Sequence, residues 1–139
     1  ENMTGRPAPD APGETVYGTR AAHIAALADA LDCGICWDFG HAHITGADSP
    51  GVSLAAVGRR LALVHIHDND GMTDSHALPG EGSIDWDAAM AGLRTVGYTG
   101  CMDMELKSSD LPDDRQLRAL HAAQALAAAR RLCRMCAGR

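Results

Sequence analysis

Leu61-Ala62-Leu63-Val64-His65-Ile66-His67-Asp68-Asn69 changes character within a few residues: four aliphatic side chains lead into two histidines and an Asp-Asn pair. A short apolar run closed by polar groups at its carboxyl end reads as a parallel strand covered by helices. Two other segments share the design. Gly34-Ile35-Cys36-Trp37-Asp38 runs on into Phe39-Gly40-His41, and Cys101-Met102-Asp103-Met104-Glu105-Leu106 follows the turn signal Gly97-Tyr98-Thr99-Gly100.

Helical patterns fill the intervals. Residues 21–31 place Ile24, Leu27, Ala28 and Leu31 on one face at helical spacing. A shorter helix is expected over Ser53 to Arg60. Ile84 to Val96 carries Trp86, Met90 and Leu93 on one stripe, with Ser83 or Asp85 as its cap. A last helix starts near Pro112-Asp113-Asp114 and continues towards Met135, its acidic start and arginine-rich end suiting the helix dipole. The predicted order is α-β-α-β-α-β-α, an α/β fold with right-handed crossovers between parallel strands. Long loops are expected over 4–15 and 69–83, both rich in Gly and Pro.

Composition bounds the function. At 139 residues, 46 % of them hydrophobic, the chain is a globular domain with a core of its own. A net charge of −6 is a poor match for non-specific DNA binding, which needs clustered Lys and Arg. No apolar run reaches the roughly 20 residues that span a bilayer. The first residue is Glu, and the expectation is a fragment or processed product without a leader. Cys33–Cys36 and Cys133–Cys136 have CxxC spacing but sit on a strand and a helix, so small buried or free thiols are expected rather than a joint zinc site. An odd, scattered set of five cysteines points to a reducing cytoplasm.

The polar residues collect where strands end: Asp38, His41 and His43 after the first, His65, His67, Asp68, Asp74 and His76 with the second, Glu105 at the close of the third. In α/β barrels that carboxyl face is where active sites are built. Glu1 to Asp38 spans 37 positions, Asp38 to His65 spans 27 and His65 to Glu105 spans 40. A barrel of roughly 250 residues has about 31 per β/α unit, so one ligand per consecutive unit fits. Two glutamates, an aspartate and a histidine suit Mn²⁺, Mg²⁺, Co²⁺ or Zn²⁺. Each residue also has an ordinary role open to it. Asp38 could cap the next turn, His65 could be a core histidine, Glu105 a salt-bridge partner, Glu1 a solvated terminus, and Asp68-Asn69 a strand stop. His23 and His121 read as helix surface or packing residues, and Arg130, Arg131 and Arg134 as a solvated helix end.

Together, Trp37-Asp38-Phe39-Gly40-His41-Ala42-His43, His65-Ile66-His67-Asp68-Asn69, His76-Ala77-Leu78-Pro79-Gly80-Glu81-Gly82-Ser83-Ile84-Asp85-Trp86, Gly97-Tyr98-Thr99-Gly100 and Glu105 resemble the sugar phosphate isomerase/epimerase family. That family has the xylose-isomerase-like TIM barrel and includes endonuclease IV-type AP endonucleases. Glu1-Asn2 resembles its Glu-Asn at the end of the fifth strand. The resemblance implies that residues 1–139 are the carboxyl-terminal portion of a (β/α)₈ barrel, about strands five to eight. It implies Glu1, Asp38, His65 and Glu105 as metal ligands, Glu1 and Glu105 as the catalytic pair passing a proton through a metal-stabilised enediolate, and His41 as a substrate contact or, in the endonuclease branch, a ligand of a second metal. His67 is a further candidate substrate contact. The implied substrate is a sugar, sugar phosphate or related polyol. The pattern departs from the ketose 3-epimerases where Asp70-Gly71 stand in place of an arginine. Asp74-Ser75-His76 resembles the Asp-Arg-His that binds further zinc in the endonucleases, making Asp74 and His76 candidates for a second metal. An AP endonuclease is the alternative reading, a dehydratase a close relative, and a catalytically silent metabolite-binding barrel the third. With three complete strands, both sheet edges are expected to be open, which favours self-association into a homo-oligomer.

Overall fold

The computed structural model describes residues 1–5, 18–46, 48–107 and 113–138. Most of the loop expected over 4–15, and Pro112 at the head of the last helix, lie outside them. Among the described residues three strands, β1 (Ile35–Asp38), β2 (Leu61–Ile66) and β3 (Cys101–Met104), form one parallel sheet in the order β1-β2-β3. The helices are α1 (Ala21–Leu31), α2 (Phe39–Thr45), α3 (Pro50–Val57), α4 (Trp86–Thr95) and α5 (Arg115–Cys136), with a 3₁₀ turn over Gly58–Arg60 leading into β2. None of them is long and apolar enough to cross a membrane.

The pleat sorts the sheet into two faces. Ile35 and Trp37 of β1, Val64 and Ile66 of β2, and Met102 and Met104 of β3 turn towards the helices and join one core with Leu54, Met90 and Leu93. Each large aliphatic side chain fully withdrawn from water contributes roughly 1.5–3 kcal/mol. The alternate set is Cys36 and Asp38, Leu63 and His65, Cys101 and Asp103. Its register pairs Asp38 with His65 and His65 with Asp103, so three strand ends stand level. Glu105 follows β3, and its N–H still donates to the carbonyl of Ile66 at 3.2 Å, which extends that alignment by one residue.

Several expectations need correction. A helix that the expected order lacked, α2, begins directly after β1, where the Asp38 carboxylate accepts the His41 N–H and turns the chain at once, the capping role open to it in the sequence. The helix before β2 starts at Pro50 rather than Ser53, proline being well placed in a first turn, and its last turn tightens to 3₁₀ from Gly58. On α1 the packed face is Ala21, Ile24 and Ala28, while Leu27 and Leu31 are exposed. Among the described residues α1 packs chiefly on α3, with smaller contacts to β1 and the 3₁₀ turn, so the apolar stripe is wider than the contact it makes. Cap and helix agree at α4, where Asp85 accepts from the Ala88 N–H, and at α5, where Asp114 accepts from Gln116 and Leu117. The five cysteines are free thiols.

Between β2 and α4 the long polar loop is organised by one residue. Asp68 is fully buried, pairs through its backbone with Ala77 in both directions, and accepts from four donors. These are the N–H groups of Asn69 at 2.9 Å, Gly80 at 2.7 Å and Ile84 at 3.2 Å, and the indole of Trp86 at 2.9 Å. A side chain at Gly82 would meet the Asn69 carbonyl at 2.3 Å and the Asp68 carboxylate at 2.4 Å, so only glycine lets the loop close on that carboxylate.

Candidate metal centre

At the carboxyl end of the sheet, Glu1, Asp38, His65 and Glu105 each bring one ligand-type atom within 4.8 Å of the others. The fold explains the convergence. His65 sits on the central strand, Asp38 is its register neighbour on β1, and Glu105 follows β3 on the other side. Glu1 is brought in by Asn2, which is wholly buried and acts as a substitute strand. Its side-chain amide donates to the Asp38 carbonyl at 2.9 Å and accepts the Asp38 N–H at 2.7 Å.

His65 Nδ1 is buried and lies 3.5 Å from Glu1, 3.6 Å from Asp38 and 3.2 Å from Glu105, yet makes no hydrogen bond. Three carboxylates facing one ring nitrogen repel one another unless a cation compensates them. Asp38 divides its work between its two oxygens: Oδ1 takes the His41 N–H at 2.7 Å, while Oδ2 faces His65. The capping role and the ligand geometry are therefore compatible. Burial pushes the Asp38 carboxyl up, but the contacts from His67 and the His41 amide outweigh it and leave the group below its usual value. Burial lowers His67, yet the Asp38 carboxylate against it prevails and raises it overall.

A second group lies beside the first: His41, His67, Asp74 and His76. Each imidazole has one nitrogen already held. His41 Nδ1 lies 2.9 Å from the Asn2 carbonyl and His76 Nδ1 2.7 Å from the Glu105 carbonyl, so both nitrogens donate there. His67 Nε2 is 3.1 and 3.2 Å from the two Asp38 oxygens. In the neutral tautomers that those bonds favour, the opposite nitrogens carry the lone pairs a metal ion would take. They point towards Asp74: His41 Nε2 at 3.3 Å, His76 Nε2 at 3.4 Å and His67 Nδ1 at 4.0 Å. The His67 and His76 rings stack at 4.0 Å between centroids. His76 holds a φ of +49°, a left-handed conformation uncommon outside glycine.

His67 is fully enclosed, and a Cβ on Gly40 would lie 1.9 Å from its ring. Gly40→Ala is therefore expected to cost about 1–3 kcal/mol in thermal unfolding, since the ring has no room to retreat. Combining it with His67→Ser should restore most of that loss; no restoration would show that the clash is not with this ring. His43 stays outside both groups, its Nε2 against the Ser83 hydroxyl at 2.9 Å. A cavity of about 350 Å³ lined by Trp37, Phe39, His43, Ser53 and Ser83 lies on the helix side of the sheet and includes none of the four converging donors. Sequence reasoning missed Asn2 and the organising role of Asp68. An Asn beside a candidate ligand was the available signal for the first, and Asp68 followed by Gly80, Gly82 and Trp86 for the second.

Residues 1–133 match the family profile described as the xylose isomerase-like TIM barrel. The chain belongs to this family. Fructoselysine 3-epimerase of Escherichia coli O157:H7 is 36 % identical over 70 residues, which is 50 % of this chain and 24 % of that protein. Among solved structures in the family fold, D-psicose 3-epimerase of Clostridium cellulolyticum H10 with D-tagatose superposes with a TM-score of 0.70 at 18 % identity, covering 88 % of this chain and 46 % of the other. The IOLI protein with a bound zinc atom gives 0.62 at 21 % identity, covering 87 % and 45 %. Both likenesses establish the fold. The chain spans about half the length of those structures and aligns with about a quarter of the curated relatives' length.

Proposed function

We propose that residues 1–139 form the carboxyl-terminal half of a (β/α)₈ barrel, about strands five to eight, within a larger metal-dependent isomerase or epimerase acting on a sugar, sugar phosphate or related polyol. The observation that carries this is the convergence of Glu1, Asp38, His65 and Glu105, with the buried His65 Nδ1 left without a hydrogen bond. Oxygen and imidazole donors in that number fit Mn²⁺, Co²⁺, Zn²⁺ or Mg²⁺. When bound, such an ion supplies a Lewis acid that offsets negative charge developing on substrate oxygens. The kinship with fructoselysine 3-epimerase supports a ketose-type substrate.

Glu1 and Glu105 flank His65 from the β1 and β3 sides, which suits a pair of proton-transfer groups. One carboxylate takes the proton from the carbon beside the substrate carbonyl, and the C–H electron pair moves into an enediolate. The other returns a proton to the opposite face of that carbon, or to its neighbour, so that epimer or isomer forms with no net loss of atoms. His41, buried beside the cluster with its Nε2 towards Asp74, is the proposed substrate contact. His67, enclosed and spent on Asp38, is better suited to orienting that carboxylate than to touching substrate.

The test uses the full-length protein. Metal content and Mn²⁺, Co²⁺ and Zn²⁺ affinity are measured beside His65→Ala and Glu105→Ala, followed by exchange of carbon-bound hydrogen with deuterated water on ketoses and their phosphates. Exchange that depends on metal and disappears in Glu1→Gln and Glu105→Gln is the expected result. Metal binding without exchange on any of them would sink the isomerase reading. A second reading, metal-dependent cleavage of abasic DNA, draws on the His41, His67, Asp74 and His76 group, whose lone pairs suit Zn²⁺. More than one zinc per chain, one lost in His76→Ala, together with nicking of abasic duplex, would select it.

A further inference from the structure

Below the four-donor cluster, one pleat down β1 from Asp38, lies Cys36. Strand alternation brings it to the same face as Asp38, and its thiol joins Glu1 and His65 in a separate group whose ligand-type atoms lie within 4.8 Å of one another. Glu1 and His65 therefore belong to two overlapping donor sets. The upper one is completed by the oxygens of Asp38 and Glu105, the lower one by a sulfur. Cys36 is half-buried, and its register partner on β2 is the aliphatic Leu63.

We infer that Cys36 is a metal-selecting donor of this site, giving it a lower, sulfur-containing position that holds Zn²⁺ or Co²⁺ in preference to Mn²⁺ or Mg²⁺. This rests on the metal-site reading above and deepens it. Three considerations lead there. The thiol faces the same His65 ring that three carboxylates approach, and that ring's buried Nδ1 has no hydrogen bond to fix it on the upper set alone. A bound cation that displaces the thiol proton to solvent leaves a thiolate, a soft donor, and sulfur with imidazole favours Zn²⁺ and Co²⁺, whereas carboxylate oxygens alone discriminate little among hard divalent ions. Of the other strand cysteines, Cys101 lies on β3 and belongs to none of the donor groups among the described residues. The site would thus have a built-in preference that its four outer donors lack.

The experiment loads the full-length protein with Co²⁺ and records its electronic spectrum, with metal content measured in parallel. A sulfur-to-cobalt charge-transfer band in the near ultraviolet is expected in the wild type and in Cys101→Ser. It should vanish in Cys36→Ser while cobalt remains bound through the outer donors. The ratio of Zn²⁺ to Mn²⁺ affinity should fall in the same variant by about tenfold or more. Full cobalt occupancy with no such band in the wild type overturns the inference and leaves the four-donor site standing. A band that survives in Cys36→Ser also overturns it, because another thiol is then the source. Failure of the wild type to retain any cobalt sinks the metal-site reading and this inference together. If Cys36→Ser does not fold, as judged by circular dichroism, the wild-type spectrum and Cys36→Ala decide.

Discussion

Replacing Asp38 with asparagine leaves the protein folded and lowers its divalent-metal affinity by about 100-fold or more. Two features of this carboxylate separate the outcomes. An asparagine carbonyl can still accept the His41 N–H, and the Asp38 backbone remains clasped by Asn2, so the start of α2 and its junction with β1 persist. The charge facing His65 is lost. Removing a mere supporting partner of a metal ligand costs 10–100-fold in affinity, so removing a direct donor, the role proposed for Asp38, takes about the upper figure as its floor. Titration calorimetry of the full-length protein measures this, with circular dichroism reporting the fold. Asp103→Asn is the matched control: it is exposed, one register step from His65 on β3, and outside the donor groups, so its effect should stay within the small range of surface charges. Equal losses in both variants would mean that general acidity attracts the ion rather than a built set of ligands.

The largest effect on stability is expected at Asp68. Asp68→Asn keeps one acceptor oxygen but turns an NH₂ towards N–H donors, in a position where the native carboxylate accepts four bonds while fully buried. Hydrogen bonds to a charged group are worth about 1.5–3 kcal/mol each, and unsatisfied partners add their desolvation cost. A loss of about 3–4 kcal/mol follows, equivalent to roughly 10 °C in the melting temperature of a protein this size. The sign of the pH dependence follows from the same contacts. Burial raises the Asp68 carboxyl, but the Trp86 indole and the Gly80, Ile84 and Asn69 amides outweigh it, so the folded value lies below the ordinary 3.8. Its contribution is therefore complete above that ordinary value and is lost as pH falls through the lower folded one. Chemical denaturation of wild type and Asp68→Asn should show a constant gap at neutral pH that narrows in acid. A gap that widens in acid would contradict this account.

The strands and the titratable side chains that converge at their ends were legible for one reason. Aliphatic runs that stop at Asp38, His65 and Glu105 leave a titratable group where the sheet's carboxyl edge must be. The turn after Asp38 was legible from its capping side chain, but its continuation as the seven-residue α2 was not, because Phe39 to Thr45 is too short to show a helical period. Leu27 and Leu31 were assigned to a buried face since periodicity reveals which residues align, not how wide a neighbour covers them. Asn2 was visible beside Glu1, but its clasp on β1 was not, because its partners are backbone atoms of Asp38, far along the chain. Asp68 looked like a strand terminator; that its carboxylate gathers donors from Gly80 to Trp86 depends on a loop closure that no local pattern encodes. The shared orientation of His41, His67 and His76 towards Asp74 likewise emerges only from tertiary hydrogen bonds that fix one nitrogen of each ring.

The contact between Gly40 and the His67 ring has an evolutionary corollary. The space a side chain at position 40 would need is the space the imidazole fills, so the two positions share a single volume. Across diverging homologues they should covary: lineages keeping histidine at 67 retain glycine at 40, and those with a smaller residue at 67 are free to carry serine, alanine or cysteine at 40. Because the same imidazole holds Asp38, such a paired exchange would also retune the neighbouring carboxylate, so the history of one packing contact would be written into the chemistry of the site.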